Sequence, residues 1–223
     1  MLPELHLIFS AYHQLCSRID NIFNEVAQIW TGCVHCSPGC SDCCNALFDI
    51  SLVEAMYIND AFRRTYAYGL ARSEILERAG SVDRKLARLK YDLFLEEKEG
   101  RRPEEIIRRA SRMRMRCPLL GNEGKCMLYE HRPIACRIYG IPLAIDEETH
   151  VCGFSSFQPG HIYPSIKIKK INHILKDLSK AIGSTIKSSY SCLHETFIPI
   201  SMALLTDYSE SYLDVNHPCW SGE

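Results

Sequence analysis

Cysteine sets the terms for this chain. Twelve of 223 residues are cysteine, and five of them, Cys33, Cys36, Cys40, Cys43 and Cys44, fall close together in one short stretch. That density exceeds ordinary intracellular usage yet falls short of a small disulfide scaffold, so the redox compartment decides what the thiols do. The N-terminal stretch MLPELHLIFS has no basic flank before its apolar residues and carries Glu4, unlike a secretory leader. The longest later apolar run, Phe197 to Leu205, is far shorter than the ~20 residues a membrane helix needs. We therefore expect a cytoplasmic protein with no membrane partner, whose clustered cysteines are metal ligands or reactive thiols rather than disulfides.

The rest of the composition is ordinary. Hydrophobic residues make up 46% and charged residues 24%, and 27 acidic against 26 basic residues give a net charge of −1. A chain of this size with no global field is expected to form a single domain, residues 1 to 223, and gives no electrostatic sign of a nucleic-acid partner. Apolar residues recur three or four apart from Leu5 to Trp30, from Ile75 to Leu93 and from Ile166 to Ile186, which predicts helices there, the second weakened locally by Gly80 and running on to Glu99. Ser51 and Glu54 form a capping box that starts another helix after the cysteine loop. Pro103 opens a further one over Ile106, Ala110 and Met113, with Arg108, Arg112 and Arg116 on its opposite face. Alternation suited to a strand is confined to Ile138 to Ile145. The expected fold is mainly α: an irregular helical domain with cysteine-rich metal-binding loops, an N-terminal helix and a C-terminal helical extension.

Residues 31 to 45 have no hydrophobic period and are rich in Gly, Ser, Pro and Cys, so they read as a loop. Thiolates two to four residues apart on a turn can converge on one soft metal. A polar setting of Ser37, Pro38, Gly39, Ser41 and Asp42 argues against thiols that merely fill a core. Adjacent Cys43 and Cys44 point in different directions, so a polynuclear centre or a second site suits them better than one ion.

A second constellation runs through Cys117, Cys126 and Cys136. Gly121 and Gly124 permit a turn between the first two, and Pro133 can open a short helix whose first turn holds Cys136, where exposed amides favour a thiolate. Arg132 and Arg137 beside it are candidates to offset the negative charge of thiolates gathered round a cofactor; a surface salt bridge is their plainer role.

The stretch C-S-P-G-C-S-D-C-C (36 to 44), followed by C-P-L-L-x5-C-x2-Y-x2-R-P-x2-C-R (117 to 137), resembles the YkgJ-type cysteine-cluster family of zinc- or iron-chelating domains. The likeness covers about residues 33 to 140, with a helical insertion between the halves. It implies Cys36, Cys40, Cys43, Cys44, Cys117, Cys126 and Cys136 as metal ligands. Cys33 lies outside the motif and Cys152 follows it, and the resemblance leaves both open. Relatives that resemble flagellin lysine-N-methylase make an enzyme that uses the centre an alternative by analogy. The spacing Cys36-x3-Cys40-x2-Cys43 is also that of radical S-adenosylmethionine enzymes, but no alternation of strand and helix follows it to build their barrel.

His35 and His131 lie within the motifs and could add neutral imidazole ligands, although loop histidines are more often solvated. Seven arginines between Arg101 and Arg116 could meet phosphates, yet no stacking aromatic is interleaved and a solvated helix face is the simpler reading. Cys16, Cys192 and Cys219 read as non-ligands. Together these features predict a metal-binding protein with a thiolate-ligated centre, an iron–sulfur cluster favoured over zinc, used in redox chemistry or metal handling. The main alternative is a structural zinc module that binds a protein partner.

Overall fold

In the computed structural model, which describes residues 3–37, 39–145, 148–158 and 161–215, the first apolar period becomes helix α1 (His6–Ile29). Its buried face is Phe9, Tyr12, Leu15, Cys16, Ile19 and Val26, the stripe expected of a surface helix packed on a core. Helix α2 (Leu52–Thr65) begins at the capping box. There the Ser51 amide and hydroxyl both donate to Glu54 Oε2, at 2.9 and 2.7 Å. Ten of its residues are buried, so α2 is the central helix of the core. Side-chain hydrogen bonds tie it to later elements. Ser179 Oγ accepts the Val53 amide at 3.2 Å, and Asn59 Nδ2 donates to the carbonyls of Ala203 and Thr206.

Helix α3 (Leu70–Lys98) is longer than its hydrophobic seam required and runs through Gly80 without a break. At 1.5 Å per residue it spans about 43 Å, yet only Ile75, Ala79 and Leu86 are buried, so its second half carries little core. Helix α4 (Pro103–Ser111) starts with proline in its first turn and buries nothing. Arg116, expected on its polar face, lies beyond its end. The chain leaves the helix to form a bridge between Arg114 and Ala46, and Arg116 instead donates to the carbonyls of Leu120 and Gly121. Helix α5 (Ile134–Arg137) is one short turn, α6 (Ile168–Thr185) carries the last apolar period, and α7 (Ile200–Leu205) follows Pro199.

The strands are short. β1 (Asp49–Ser51) pairs antiparallel with β5 (Phe197–Pro199), Ile50 opposite Ile198. β2 (Leu143–Ile145) pairs antiparallel with β3 (Glu148–His150) and parallel with β4 (Ile166–Lys167). The strand expected over Ile138 to Ile145 is therefore only its last three residues. Ile138 is used to close α5, its amide reaching Ile134 O at 3.1 Å. Tyr12, Ile50, Phe62, Ile75, Ile182 and Leu213 belong to one core cluster shared by α1, α2, α3, α6 and the strand β1. A smaller cluster of Val26, Ile141 and Phe157 holds the segment around Cys152 against the end of α1. Among the described residues no helix is long and apolar enough to cross a membrane.

Candidate metal centre

Backbone hydrogen bonds bring the two cysteine motifs together. The first loop folds through tight turns, Cys40 N–H to Ser37 O and Cys44 N–H to Ser41 O, into a 3-10 turn at Cys43–Asn45. Its end is zipped to the second motif: the Cys117 amide donates to Cys44 O at 2.7 Å and the Met115 amide to Asn45 O at 2.9 Å. The second motif doubles back where Gly124 adopts a φ of 74°, with the Met127 amide on Leu119 O at 2.8 Å. Cys136 then comes from α5.

As a result Cys36, Cys40, Cys43, Cys44, Cys117, Cys126 and Cys136 line the same cavity, of about 660 Å³. Cys43 is its electrostatic focus. The neighbouring Cys136 and Cys44 thiols hydrogen-bond to it, and with Arg132 nearby they hold its thiol far below the ordinary value. Cys136 and Cys44 are pushed up by the same contacts. Burial pushes Cys36 and Cys117 up to about 12 and raises Cys126. Burial and mutual contact thus oppose ionisation of most of these thiols, and a bound cation would favour it by supplying the missing positive charge.

Helix α5 is clamped at both ends. Glu54, buried in α2, accepts the Ile134 amide on Oε1 at 2.9 Å while its other oxygen holds Ser51. Arg137, also buried, donates to Asp20 Oδ2 at 2.5 Å and to the carbonyls of Glu130 and Arg132. The two arginines expected to balance the thiolates therefore differ. Arg132 lies 3.6 Å over the Tyr129 ring and pulls down the Cys43 and Cys126 thiols. Arg137 also lines the cavity, but its donors are taken by α1 and the backbone because α5 needs an anchor more than a solvated charge.

Cys33 packs in the smaller apolar cluster, outside the cavity. Cys152 is not among the cavity's lining residues; its thiol donates to Asp42 Oδ2 at 3.5 Å, and burial pushes it up. His35 bonds Ser156 at 2.6 Å, while His131 packs on Tyr57, its Nδ1 buried without a partner among the described residues. Cys16 is buried in the core and Cys192 is exposed; Cys219 lies outside the described residues.

Motif reading missed the supporting residues. Asp42, buried, pairs with Arg114, and Tyr139 gives Cys36 a carbonyl acceptor at 3.2 Å. Gly140, at a φ of 109°, lies so close that a Cβ there would overlap Cys36 Sγ. Only Glu54 carried a signal, its capping box.

A crowd of soft donors with a guanidinium close by suits a soft or borderline metal. Among the described residues no three Cys, His, Asp or Glu side chains are already drawn into a metal-holding arrangement. No curated protein and no solved structure matches the chain. Residues 35–153, more than half of the 223, match the CxxCxxCC family, described as "Putative zinc- or iron-chelating domain". With its two cysteine motifs within that span and facing one cavity, the chain belongs to this zinc- or iron-chelating CxxCxxCC family.

Proposed function

We propose that Cys36, Cys40, Cys43, Cys44, Cys117, Cys126 and Cys136 ligate a polynuclear thiolate centre, an iron–sulfur cluster in preference to zinc, in a cytoplasmic protein of redox or metal-handling function. The observation that carries this reading is the collection of seven thiols from two distant motifs on one cavity. A single tetrahedral zinc uses about four ligands and would leave the others idle. Vicinal Cys43 and Cys44, both free thiols on the cavity wall, favour more than one metal atom because neighbouring side chains diverge and rarely reach the same ion. Arg132 offsets part of the charge that a thiolate cluster brings. Loading requires the raised thiols to lose their protons and their side chains to rotate inward, so metal binding should release protons and tighten the loops.

Anaerobic purification and reconstitution with iron and sulfide test it. A brown protein with absorption near ~400 nm, carrying iron and acid-labile sulfide, is expected. A colourless protein that takes up zinc alone overturns the iron–sulfur assignment in favour of a zinc module.

A further inference from the structure

The cavity is larger than a metal centre needs, and part of its wall has no metal chemistry. Metal–sulfur bonds of ~2.3 Å enclose only about 50 Å³ round each ion, whereas the cavity measures about 660 Å³. Leu47, Phe48, Val82, Leu86 and Ile200 supply wall from the segment before β1, from α3 and from α7, none of which carries a cysteine. These side chains are apolar and cannot ligate a metal. Volumes of ~300–1,000 Å³ lined by apolar groups with a few polar ones are those of small-molecule sites. Charged groups on the lining are Arg116, Lys125, Arg132 and Arg137 together with Asp20 and Glu130, so that cations outnumber carboxylates there. Arg132 is held on the Tyr129 ring, whereas Lys125, mostly exposed, makes among the described residues a single 4.0 Å contact, with exposed Glu123, and is available to an incoming charge.

We propose that the thiolate centre is an open site that seats a small amphipathic organic anion, its apolar body against Phe48, Val82 and Leu86 and its anionic head beside Lys125 and the metal. This rests on the metal reading above for the identity of the head's surroundings. An apolar body gains by leaving water for that wall, and a lysine ammonium paired only at 4.0 Å with an exposed carboxylate gains by meeting a closer anion. A closed structural site would have no use for such a wall.

The test uses the metal-loaded protein and two fluorescent probes, 8-anilinonaphthalene-1-sulfonate and its uncharged analogue N-phenyl-1-naphthylamine. Metal content and a cooperative melt are recorded for every sample, so that probe binding by a loosened fold is recognised. The anionic probe is expected to bind saturably at one per chain and more tightly than the uncharged one. Val82→Trp, which fills the apolar wall, should weaken binding at least tenfold with unchanged metal content. Leu47→Trp serves the same purpose should the first variant fail to fold. Lys125→Gln should erase the preference for the anion. Absence of saturable binding to the loaded, folded protein overturns the proposal, as does unaltered binding in the filled variants. Equal affinity for the two probes overturns the anionic head. A chain that takes up neither zinc nor iron fails the metal reading instead, and the metal analysis separates that failure from the others.

Discussion

Gly140→Ala puts the local geometry of the centre to its hardest test. Gly140 sits at a φ of 109° and a Cβ there would run into Cys36 Sγ, whose thiol is held on Tyr139 O at 3.2 Å. Two costs arise. A non-glycine residue at such a positive φ carries roughly 1–3 kcal/mol of strain. Displacing the sulfur forfeits its hydrogen bond, a further ~1 kcal/mol. Together they make about 2–4 kcal/mol, and at about 2–4 °C per kcal/mol for a chain of this size the melting temperature should fall by about 4–16 °C. Gly100→Ala is the control, because Gly100 has a φ of 89° with open space around the added Cβ, so that only strain is felt. Thermal melting and metal content are measured for both variants. Gly140→Ala should melt lower and lose metal, whereas Gly100→Ala should keep full metal content. Adding Cys36→Ala to Gly140→Ala removes the overlap, and in metal-free protein the double variant should recover part of the loss. The reasoning is refuted if Gly140→Ala and Gly100→Ala melt together with equal metal content, or if the double variant recovers nothing.

Serine substitution should sort the cysteines. Cys43→Ser, Cys126→Ser and Cys136→Ser should each lose metal by elemental analysis, since serine is a hard, poor ligand for a soft centre; Cys16→Ser, at a buried core position, should keep it and cost about 1–2 kcal/mol in a denaturant titration. Arg137→Met should cost about 2–4 kcal/mol, because Asp20 and two carbonyls lose their shared donor; a melt unchanged from the parent's would disprove the clamp on α5. Burial raises the Glu54 carboxyl, so the fold favours its protonated form. That contribution is complete below the ordinary carboxyl range and is lost as pH rises through the raised folded value. Glu54→Gln should therefore flatten the decline in melting temperature as pH rises above the ordinary carboxyl range, and an unaltered pH profile would count against Glu54 as its source.

Much of the helical architecture was legible because its causes are local. The three-to-four spacing of Phe9, Tyr12, Leu15 and Ile19 repeats within one segment, and the capping box of Ser51 and Glu54 is three residues long. Local alternation misled at Ile138, where a glycine conformation and the last turn of α5 took precedence over a strand. The arginine-rich run was legible as charge but not as position, since Arg114 and Arg116 leave the helix for Asp42 and for backbone carbonyls.

The local sequence by itself determined that two soft-donor loops exist, from cysteine spacing, and where most of the helices between and around them lie, from apolar period and caps, because turns, caps and amphipathic stripes are set by neighbours in the chain. Tertiary structure alone decided that the loops join through Cys117 and Cys44, that Arg137 anchors to Asp20 while Arg132 stays by the thiols, and that an apolar wall from α3 and α7 opens beside them. Those contacts join residues tens to well over a hundred positions apart. They form only when the helices bury their shared core, and no local pattern carries the energy of a contact whose other half lies elsewhere in the chain.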